Sequence, residues 1–255
     1  MIENWIGLRT LMKREILRFF VVATQTVLPA IVSSTLFMFV FGLSLGSNIR
    51  IPAGMSYLQF IVPGLVMMHL IESSYTNTSS SLFMSRWQNL IQEILLSPLT
   101  YFEMVLGLLA GGMTRAMFVA TAVYCLSFAF THSFVLHPWI VLYFFVTVTF
   151  IFSCLGLIVG LWAEGFEKLA FWSSFVLTPL IYLGGVFHNT EMVPPPLRFL
   201  TRLDPIFYLI SGLRYAMIGH SDVPIGVSMG LAAFLAIALF LVVERLFRIG
   251  YKLRT

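Results

Sequence analysis

Two ionisable residues, Glu72 and Arg115, stand inside long apolar stretches of the chain. A charged side chain at the centre of a lipid-facing helix costs about 2.5 to 3.5 kcal/mol on insertion scales, so each should face protein or water. Counted along antiparallel neighbouring helices, the two residues lie at comparable depth. This leaves two interpretations open: a mutual ion pair, or a cavity-lining role for each residue.

The stretch that follows Glu72 favours a cavity. Every residue from Ser73 to Ser81 is serine, threonine, tyrosine or asparagine, which is more hydrophilic than helix packing requires. We therefore expect a water-lined surface, and its candidate residues are Glu72, Tyr75, Asn77 and Arg115.

Motifs for covalent or nucleotide chemistry do not occur in the sequence. It contains no G-x-x-x-x-G-K-[ST] phosphate loop, no G-x-S-x-G, no H-E-x-x-H and no paired cysteine ligands. The five histidines are scattered, and Cys125 and Cys154 fall in apolar runs, where we expect both to be buried. The sequence predicts no catalytic residue, no metal site and no cofactor bound by this chain.

Composition places these residues in a membrane. The 255 residues are 59% hydrophobic and only 10% charged, whereas ordinary soluble domains carry about 25% charged residues. The net charge of +4 comes from basic residues beside the ends of apolar runs, which indicates contact with membrane lipid and not with nucleic acid. We expect one all-α, multi-pass domain over residues 1–255.

Six apolar runs are long enough to be considered as membrane spans. They are Val21 to Leu45, Tyr57 to Phe83, Met104 to Phe130, Pro138 to Trp162, Leu169 to Phe187, and Pro224 to Val243. Residues 1–20 precede them and predict an amphipathic interface helix, with Trp5, Leu8, Met12, Ile16 and Phe19 on its apolar face.

Basic residues are distributed unevenly between the two sides of this arrangement. Ten fall on the side of the termini: Arg9, Lys13, Arg14, Arg18, Arg86, Lys168, Arg245, Arg248, Lys252 and Arg254. Four fall on the other: Arg50, Arg198, Arg202 and Arg214. The positive-inside rule predicts that both termini lie in the cytoplasm.

Residues 85–98 form a short polar interruption between the second and third runs. Ser85 with Gln88 three residues later predicts a capping box, and Pro98 ends the segment. Four of the apolar residues between them, Trp87, Leu90, Ile91 and Ile94, recur at helical spacing. We expect a short amphipathic helix with these four residues on one face.

The stretch from Phe171 to His220 begins as a span and is then broken. Pro179 removes a helical donor, Gly184-Gly185 loosens the backbone, and the triple proline 194–196 stops any helix. Ile206 to Ile218 is too short to span. Because backbone at membrane depth must be covered by protein or line a cavity, residues 188–220 predict outward-facing re-entrant helices.

This layout resembles the integral membrane subunits of type-2 ABC transporters, over nearly the whole chain. The matching residues in the broken stretch are Pro179, Tyr182, Gly184, Gly185, the prolines 194–196, Leu203, Asp204, Pro205, Tyr208, Arg214 and Gly219. Those around residues 85–98 are Arg86, Glu93, Leu95, Leu96, Ser97, Pro98 and Glu103.

The resemblance implies a role for each group. Residues 85–98, called the coupling segment below, would dock into a cleft on a separate ATPase. Its contact residues would be Arg86, Trp87, Leu90, Glu93, Pro98 and Glu103. Pro179, Gly184, Gly185, Asp204, Pro205 and Arg214 would be structural.

As a whole, the resemblance implies a homodimeric permease of a bacterial exporter in the inner membrane, bound to two copies of an ABC ATPase that uses ATP and Mg. Such a permease would move a glycan, a lipid-linked or a drug-like substrate, by alternating access or lateral extrusion. The alternatives are an ion-coupled secondary transporter that uses Glu72 and Arg115, and an intramembrane enzyme. An ATPase reading frame beside this one would favour the ABC permease over the secondary transporter and the intramembrane enzyme.

Overall fold

The computed structural model describes residues 4–44, 55–132, 134–190 and 192–253, and every regular element in these ranges is helical. The helices of the first half are α1 (Trp5–Val21), α2 (Ala23–Phe37, continued by a π-helical segment Met38–Ser44), α3 (Tyr57–Trp87), α4 (Ile91–Leu96) and α5 (Tyr101–Thr131). Those of the second half are α6 (Pro138–Trp162), α7 (Phe166–Phe171, continued by a π-helical segment Trp172–Leu177), α8 (Thr178–Leu183), α9 (Pro195–Leu203), α10 (Pro205–Ile218) and α11 (Ile225–Arg248).

Four helices of the described ranges are long and apolar enough to cross a membrane: Ala23–Gly42, Tyr101–Thr131, Pro138–Trp162 and Ile225–Arg248. Helix α3 has 31 residues, or roughly 46 Å, but the polar run from Glu72 to Ser81 keeps it out of this group. The fifth predicted span is divided among α7, α8 and the π-helical segment between them. Helix length and composition therefore support four spans and do not establish six.

Helix α3 is the centre of the bundle and packs against both α5 and α6. Most of its polar run is buried, and the hydroxyls of Ser74 and Thr78 donate to the carbonyls of Leu70 and Ser74 on the same helix, at 2.6 and 2.8 Å. A Cβ on Gly156 of α6 would lie 2.7 Å from the Tyr75 carbonyl oxygen. The expected water-lined surface is thus wrong for most of this run, because small polar residues that satisfy their hydroxyls within the helix let α3 and α6 approach closely.

Helix α1 lies along α5. It buries Leu8, Leu11, Glu15 and Phe19, whereas Trp5, predicted for the apolar face, is exposed. The contact is close at Gly107 of α5, where a Cβ would lie 2.5 Å from the Leu11 side chain. The buried face of α1 therefore differs from the predicted apolar face and includes Glu15. Neighbouring residues must pair with the Glu15 carboxylate.

The broken stretch folds back onto α3. Pro179 lies in the first turn of α8, directly after the π-helical segment, and Gly185 has a φ of +91°, which ends the helix. A Cβ on Gly64 of α3 would lie 2.5 Å from the Val186 carbonyl oxygen, and the Tyr57 hydroxyl donates to the Phe187 carbonyl at 2.7 Å. The break is therefore covered by protein, as is required for backbone groups at membrane depth that make no helical hydrogen bonds.

Candidate functional site

The coupling segment begins differently from the prediction. Ser85 is buried inside α3, which ends at Trp87. The turn that follows contains Asn89, a residue with a left-handed φ of 59°. Asparagine tolerates this conformation better than most residues. The predicted Ser85–Gln88 capping box is therefore wrong, and the short helix of the segment is α4, which has no side-chain cap at its N-terminus.

The four apolar residues predicted for one face of the segment are divided between two environments. Ile91 and Ile94 are buried in a core cluster that also contains Leu253. Trp87 and Leu90 are exposed, Trp87 to 66%, beside the exposed residues Glu93, Leu96 and Pro98. The single-face prediction is wrong because the chain reverses between Trp87 and Ile91. The segment is anchored by two isoleucines and presents the other residues outward.

Arg86 holds the segment in place. Its Nη1 lies 2.9, 2.8 and 3.1 Å from the carbonyl oxygens of Gly160, Leu161 and Ala163, and its Nε donates to the Lys252 carbonyl at 2.9 Å. We call these five residues the Arg86 junction. A guanidinium can satisfy several carbonyls left open at a helix end, so Arg86 joins α3, the end of α6 and the C-terminal residues. No sequence pattern identified this role.

Glu164 and Lys252 extend the junction. The Glu164 carboxylate accepts hydrogen bonds from Lys168 and from Lys252, the second at 2.7 Å, and these two lysines hold the pKa of Glu164 at about 2. Lys252 also donates to the Trp162 carbonyl at 3.1 Å. Glu164 and Lys252 also line a small cleft of about 110 Å³, together with Phe83, Trp87 and Ile91.

Glu103 belongs to the start of α5 and not to an exposed contact surface. It is fully buried and forms a capping box with Thr100, whose backbone N–H it accepts at 2.9 Å. Its other oxygen accepts the Asn4 N–H at 3.0 Å. Glu103 therefore fixes the beginnings of α1 and α5 to each other.

A second candidate site is a polar groove between α2, α3 and α5, with a volume of about 310 Å³. Its lining combines two charged residues with hydroxyls and one histidine: Thr26, Pro29, Ala30, Ser33, His69, Glu72, Ser73, Thr76 and Arg115. His69 Nε2 lies 2.7 Å from the Ser34 hydroxyl oxygen, which links α3 to α2 behind the groove.

Glu72 and Arg115 share this groove without forming an ion pair. Among the ion pairs of the described residues, which reach 4.0 Å, none joins the two. Arg115 Nη1 lies 3.5 Å from Asn77 Oδ1, at the edge of a hydrogen bond. The structure therefore shows two unpaired residues that line the same groove.

The other two predicted cavity residues lie outside the groove. Asn77 is buried behind Arg115, and its carbonyl accepts from Arg18 at 3.4 Å. Tyr75 instead lines an apolar cavity of about 160 Å³ between α3, α6, α8, α10 and α11. No sequence pattern identified Glu15, which is buried and pairs with Arg14 at 3.0 Å and Arg18 at 3.3 Å. It also accepts a hydrogen bond from the Ser81 hydroxyl at 2.7 Å.

Most of the residues predicted to be structural lie at two places, around Arg214 and at the start of α10. The Arg214 side chain is 1% exposed, donates to the Gly185 carbonyl at 2.7 Å and to Asp222 at 3.3 Å, and lies 3.9 Å from the centre of the Phe60 ring. Asp204 is the N-cap of α10, since it accepts the Ile206 N–H at 2.9 Å, and Pro205 opens that helix. A Cβ on Gly184 would lie 3.2 Å from Asp204. Asp222 has no signal of this role in the sequence.

Comparison with known proteins decides what kind of bundle this is. The family model of the ABC-2 type transporter matches residues 7–218. The chain belongs to the ABC-2 type transporter family. It is also similar to the inner membrane transport permease YadH of Escherichia coli strain K12, at 37% identity over 252 residues that cover 98% of each chain.

More distant relatives of this ABC-2 protein include nodulation protein J of Rhizobium meliloti, 26% identical over 250 residues, which cover 96% of this chain and 93% of that protein. Nodulation protein J of Neorhizobium galegae is 27% identical over 232 residues, covering 89% and 86%. The ABC-2 chain is thus a transport permease of an ABC transporter and a multi-pass inner membrane protein. Its family works with an ATPase subunit and is not an enzyme family, which decides against the ion-coupled carrier and the intramembrane enzyme.

Proposed function

We propose that this permease is half of an ATP-driven exporter and that the exposed part of the coupling segment is where the ATPase subunit binds. The observation that carries the proposal is the division of that segment. Arg86, Ile91 and Ile94 fix it to the bundle, while Trp87, Leu90, Glu93 and Pro98 stay exposed. A surface that transmits force must be rigidly attached on one side and accessible on the other.

The proposal extends to the arrangement of the complex, for which the family and the charge bias give support. The chain crosses the membrane six times, with α3 and the α7–α8 stretch added to the four apolar helices, and both termini are cytoplasmic. Two copies of the chain bind two ATPase subunits, which use ATP and Mg. The cargo is a glycan, a lipid-linked molecule or a hydrophobic drug-like molecule, exported by alternating access or lateral extrusion.

Two single changes test the binding surface. Trp87→Ala removes an exposed aromatic residue of the kind that dominates docked interfaces, where truncation costs about 2 kcal/mol or more. Glu93→Lys reverses a charge on the same surface. We expect either variant to insert normally but to weaken co-purification of the ATPase, or to uncouple ATP hydrolysis from substrate, as measured by pull-down and substrate-stimulated ATPase activity.

The matched control is Trp139→Ala. Trp139 is also exposed, to 81%, but it lies in the first turn of α6, at the opposite end from the Arg86 junction. This variant should bind and stimulate the ATPase like the unmodified chain. Equal behaviour of Trp87→Ala and Trp139→Ala would mean that the coupling segment is not the docking surface.

A further inference from the structure

The polar groove has the donors and acceptors of a site for a zwitterion. Glu72 supplies a carboxylate and Arg115 a guanidinium, and neither is neutralised by the other. The Arg115 Nε is shielded from solvent and has no hydrogen-bond partner among the described residues. Two uncompensated opposite charges in one groove are costly at membrane depth unless a ligand carrying both charges lies between them.

The wall formed by α2 adds hydrogen-bond acceptors. The Thr26 hydroxyl donates to the Val22 carbonyl at 2.8 Å, and the Ser33 hydroxyl donates to the Ala30 carbonyl at 3.1 Å. Each hydroxyl has a single proton, so both oxygens are left as acceptors toward the groove. With Glu72 they form an acceptor-rich side that suits an ammonium group with N–H donors, while Arg115 suits a phosphate.

A second, apolar groove lies on α5, and its first lining residue, Thr114, is the chain neighbour of Arg115. It has a volume of about 480 Å³ and is lined by Thr114, Met117, Phe118, Thr121, Ala122 and Cys125. Phe118 and Ala122 lie three and seven residues after Arg115 and therefore share its helix face. From Thr114 to Cys125 the helix rises roughly 16 Å, which matches most of an acyl chain. Cys125 is exposed there and not buried as the sequence predicted.

We propose that these two grooves bind one phospholipid whose headgroup carries a phosphate and a primary ammonium, as in phosphatidylethanolamine. The phosphate contacts Arg115, the ammonium contacts Glu72 and the α2 hydroxyls, and an acyl chain follows α5. The inference rests on the proposed function, because a lipid reaches the groove only if α2, α3 and α5 cross the bilayer. It does not require that this lipid be the cargo.

Lipid retention tests the proposal. The full chain, purified with its ATPase subunit from vesicles of equal parts phosphatidylethanolamine, phosphatidylcholine and phosphatidylglycerol, is examined by native mass spectrometry. We expect about a 10-fold excess of bound phosphatidylethanolamine, since the choline headgroup has no N–H donor and the glycerol headgroup has no positive charge. Binding of the three lipids in their bulk proportions would overturn the proposal.

Variants separate the two charges. Glu72→Gln should bring phosphatidylethanolamine and phosphatidylglycerol to equal retention, and Arg115→Leu should lose all three lipids, with partial retention in Arg115→Lys. The matched controls are Glu244→Gln and Arg248→Leu, which alter an exposed ion pair of 3.0 Å on α11 and should keep the wild-type preference. A control that loses the preference as Glu72→Gln does would refute a specific site.

Two further measurements identify the source of the ligand and the level of any failure. Soluble phosphoethanolamine should not displace the lipid, because it leaves the apolar groove empty, and displacement would overturn the lipid assignment. ATP hydrolysis is measured on the same samples. If the lipid preference is lost but ATP hydrolysis stays coupled, only this inference is contradicted. If the lipid preference is retained but the ATPase does not bind, the proposed function is contradicted.

Discussion

At the scale of single residues, Arg214 stabilises the broken stretch by contacts with three different segments. It joins α10 to the Gly185 carbonyl and to Asp222, which in turn accepts a hydrogen bond from the Thr190 hydroxyl at 2.9 Å. Both members of the ion pair are buried, at 1% and 5% side-chain exposure. Removing one member leaves the other charge uncompensated in the protein interior.

We expect Arg214→Leu to destabilise the protein by about 3 to 5 kcal/mol, the usual cost of breaking a buried ion pair. The double change Arg214→Leu with Asp222→Asn should cost less than the sum of the single changes, because it removes the stranded carboxylate. Thermal unfolding in detergent measures all three. Arg202→Leu, at an exposed arginine in α9, is the control and should be close to neutral; strict additivity would show that Arg214 and Asp222 act independently.

The sequence identified Arg214 but could not identify its partner. A single arginine in a short apolar segment indicates that an acidic partner is needed. Asp222 lies in a loop, where acidic residues are common, so the sequence does not indicate that it is this partner. Tyr75 shows the opposite error, since it lies in the polar run by sequence but faces an apolar cavity in the bundle. Which side of a helix faces which neighbour depends on packing angles that a single sequence does not contain.

At the scale of elements, the Arg86 junction sets where the coupling segment lies. Arg86→Ala leaves the carbonyls of Gly160, Leu161, Ala163 and Lys252 without their donor, and Arg86→Lys cannot reproduce a planar fork that reaches all four. We expect either variant to detach the C-terminal residues from α6. Carbodiimide cross-linking of Glu164 to Lys252, whose side chains lie 2.7 Å apart, measures this attachment by the yield of the joined peptides.

The pH dependence of this cross-link follows from the lowered pKa of Glu164. Because the pKa of Glu164 is lowered from 4.5 to about 2, the ion pair contributes its full stability at pH values above about 4.5. That stability is lost only as the pH falls through about 2. The pair should therefore persist from pH 5 to 7 in the unmodified chain and in Gln88→Ala, an exposed neighbour of Arg86. An Arg86→Ala yield equal to that of Gln88→Ala would show that the junction does not hold these residues.

Sequence patterns predicted the existence of most elements better than their ends. The helical character of residues 57–83, 104–130 and 138–162 followed from long apolar runs. The end of α3 was misplaced because Ser85 and Gln88 match a helix start equally well when they lie inside a longer helix. The actual capping boxes, Ser56 with Gln59 and Thr100 with Glu103, obey the same rule at the true boundaries.

At the scale of the whole molecule, the charge bias makes a direct prediction of topology. In a background with Cys125 and Cys154 replaced, a cysteine at exposed Gln88 should react with an impermeant reagent only from the cytoplasmic side. Glu191, which the sequence favours for labelling from the outside, lies outside the described residues, so exposed Met192 takes its place. Labelling of both positions from the same side would exclude the six-span arrangement.

Composition and charge predicted a multi-pass membrane protein, because a chain with 59% hydrophobic residues is too apolar for a soluble domain. They could not predict the number of spans, because α3 is long enough to cross the membrane but contains the polar run from Glu72 to Ser81. Nor could they predict that α5 contributes to both grooves, Arg115 to the polar one and Thr114 to the apolar one.

The Arg86 junction also constrains the timing of biosynthesis. Arg86 and the Lys252 carbonyl that it binds are 166 residues apart in the chain. At about 5 to 20 residues per second, the ribosome needs roughly 8 to 33 s between the two. The carbonyls of Gly160, Leu161 and Ala163 become available earlier, but the Lys252 carbonyl is the last acceptor of Arg86 to be made. An ATPase subunit that recognises the fully supported coupling segment would therefore distinguish a chain still being translated from one that has reached Lys252.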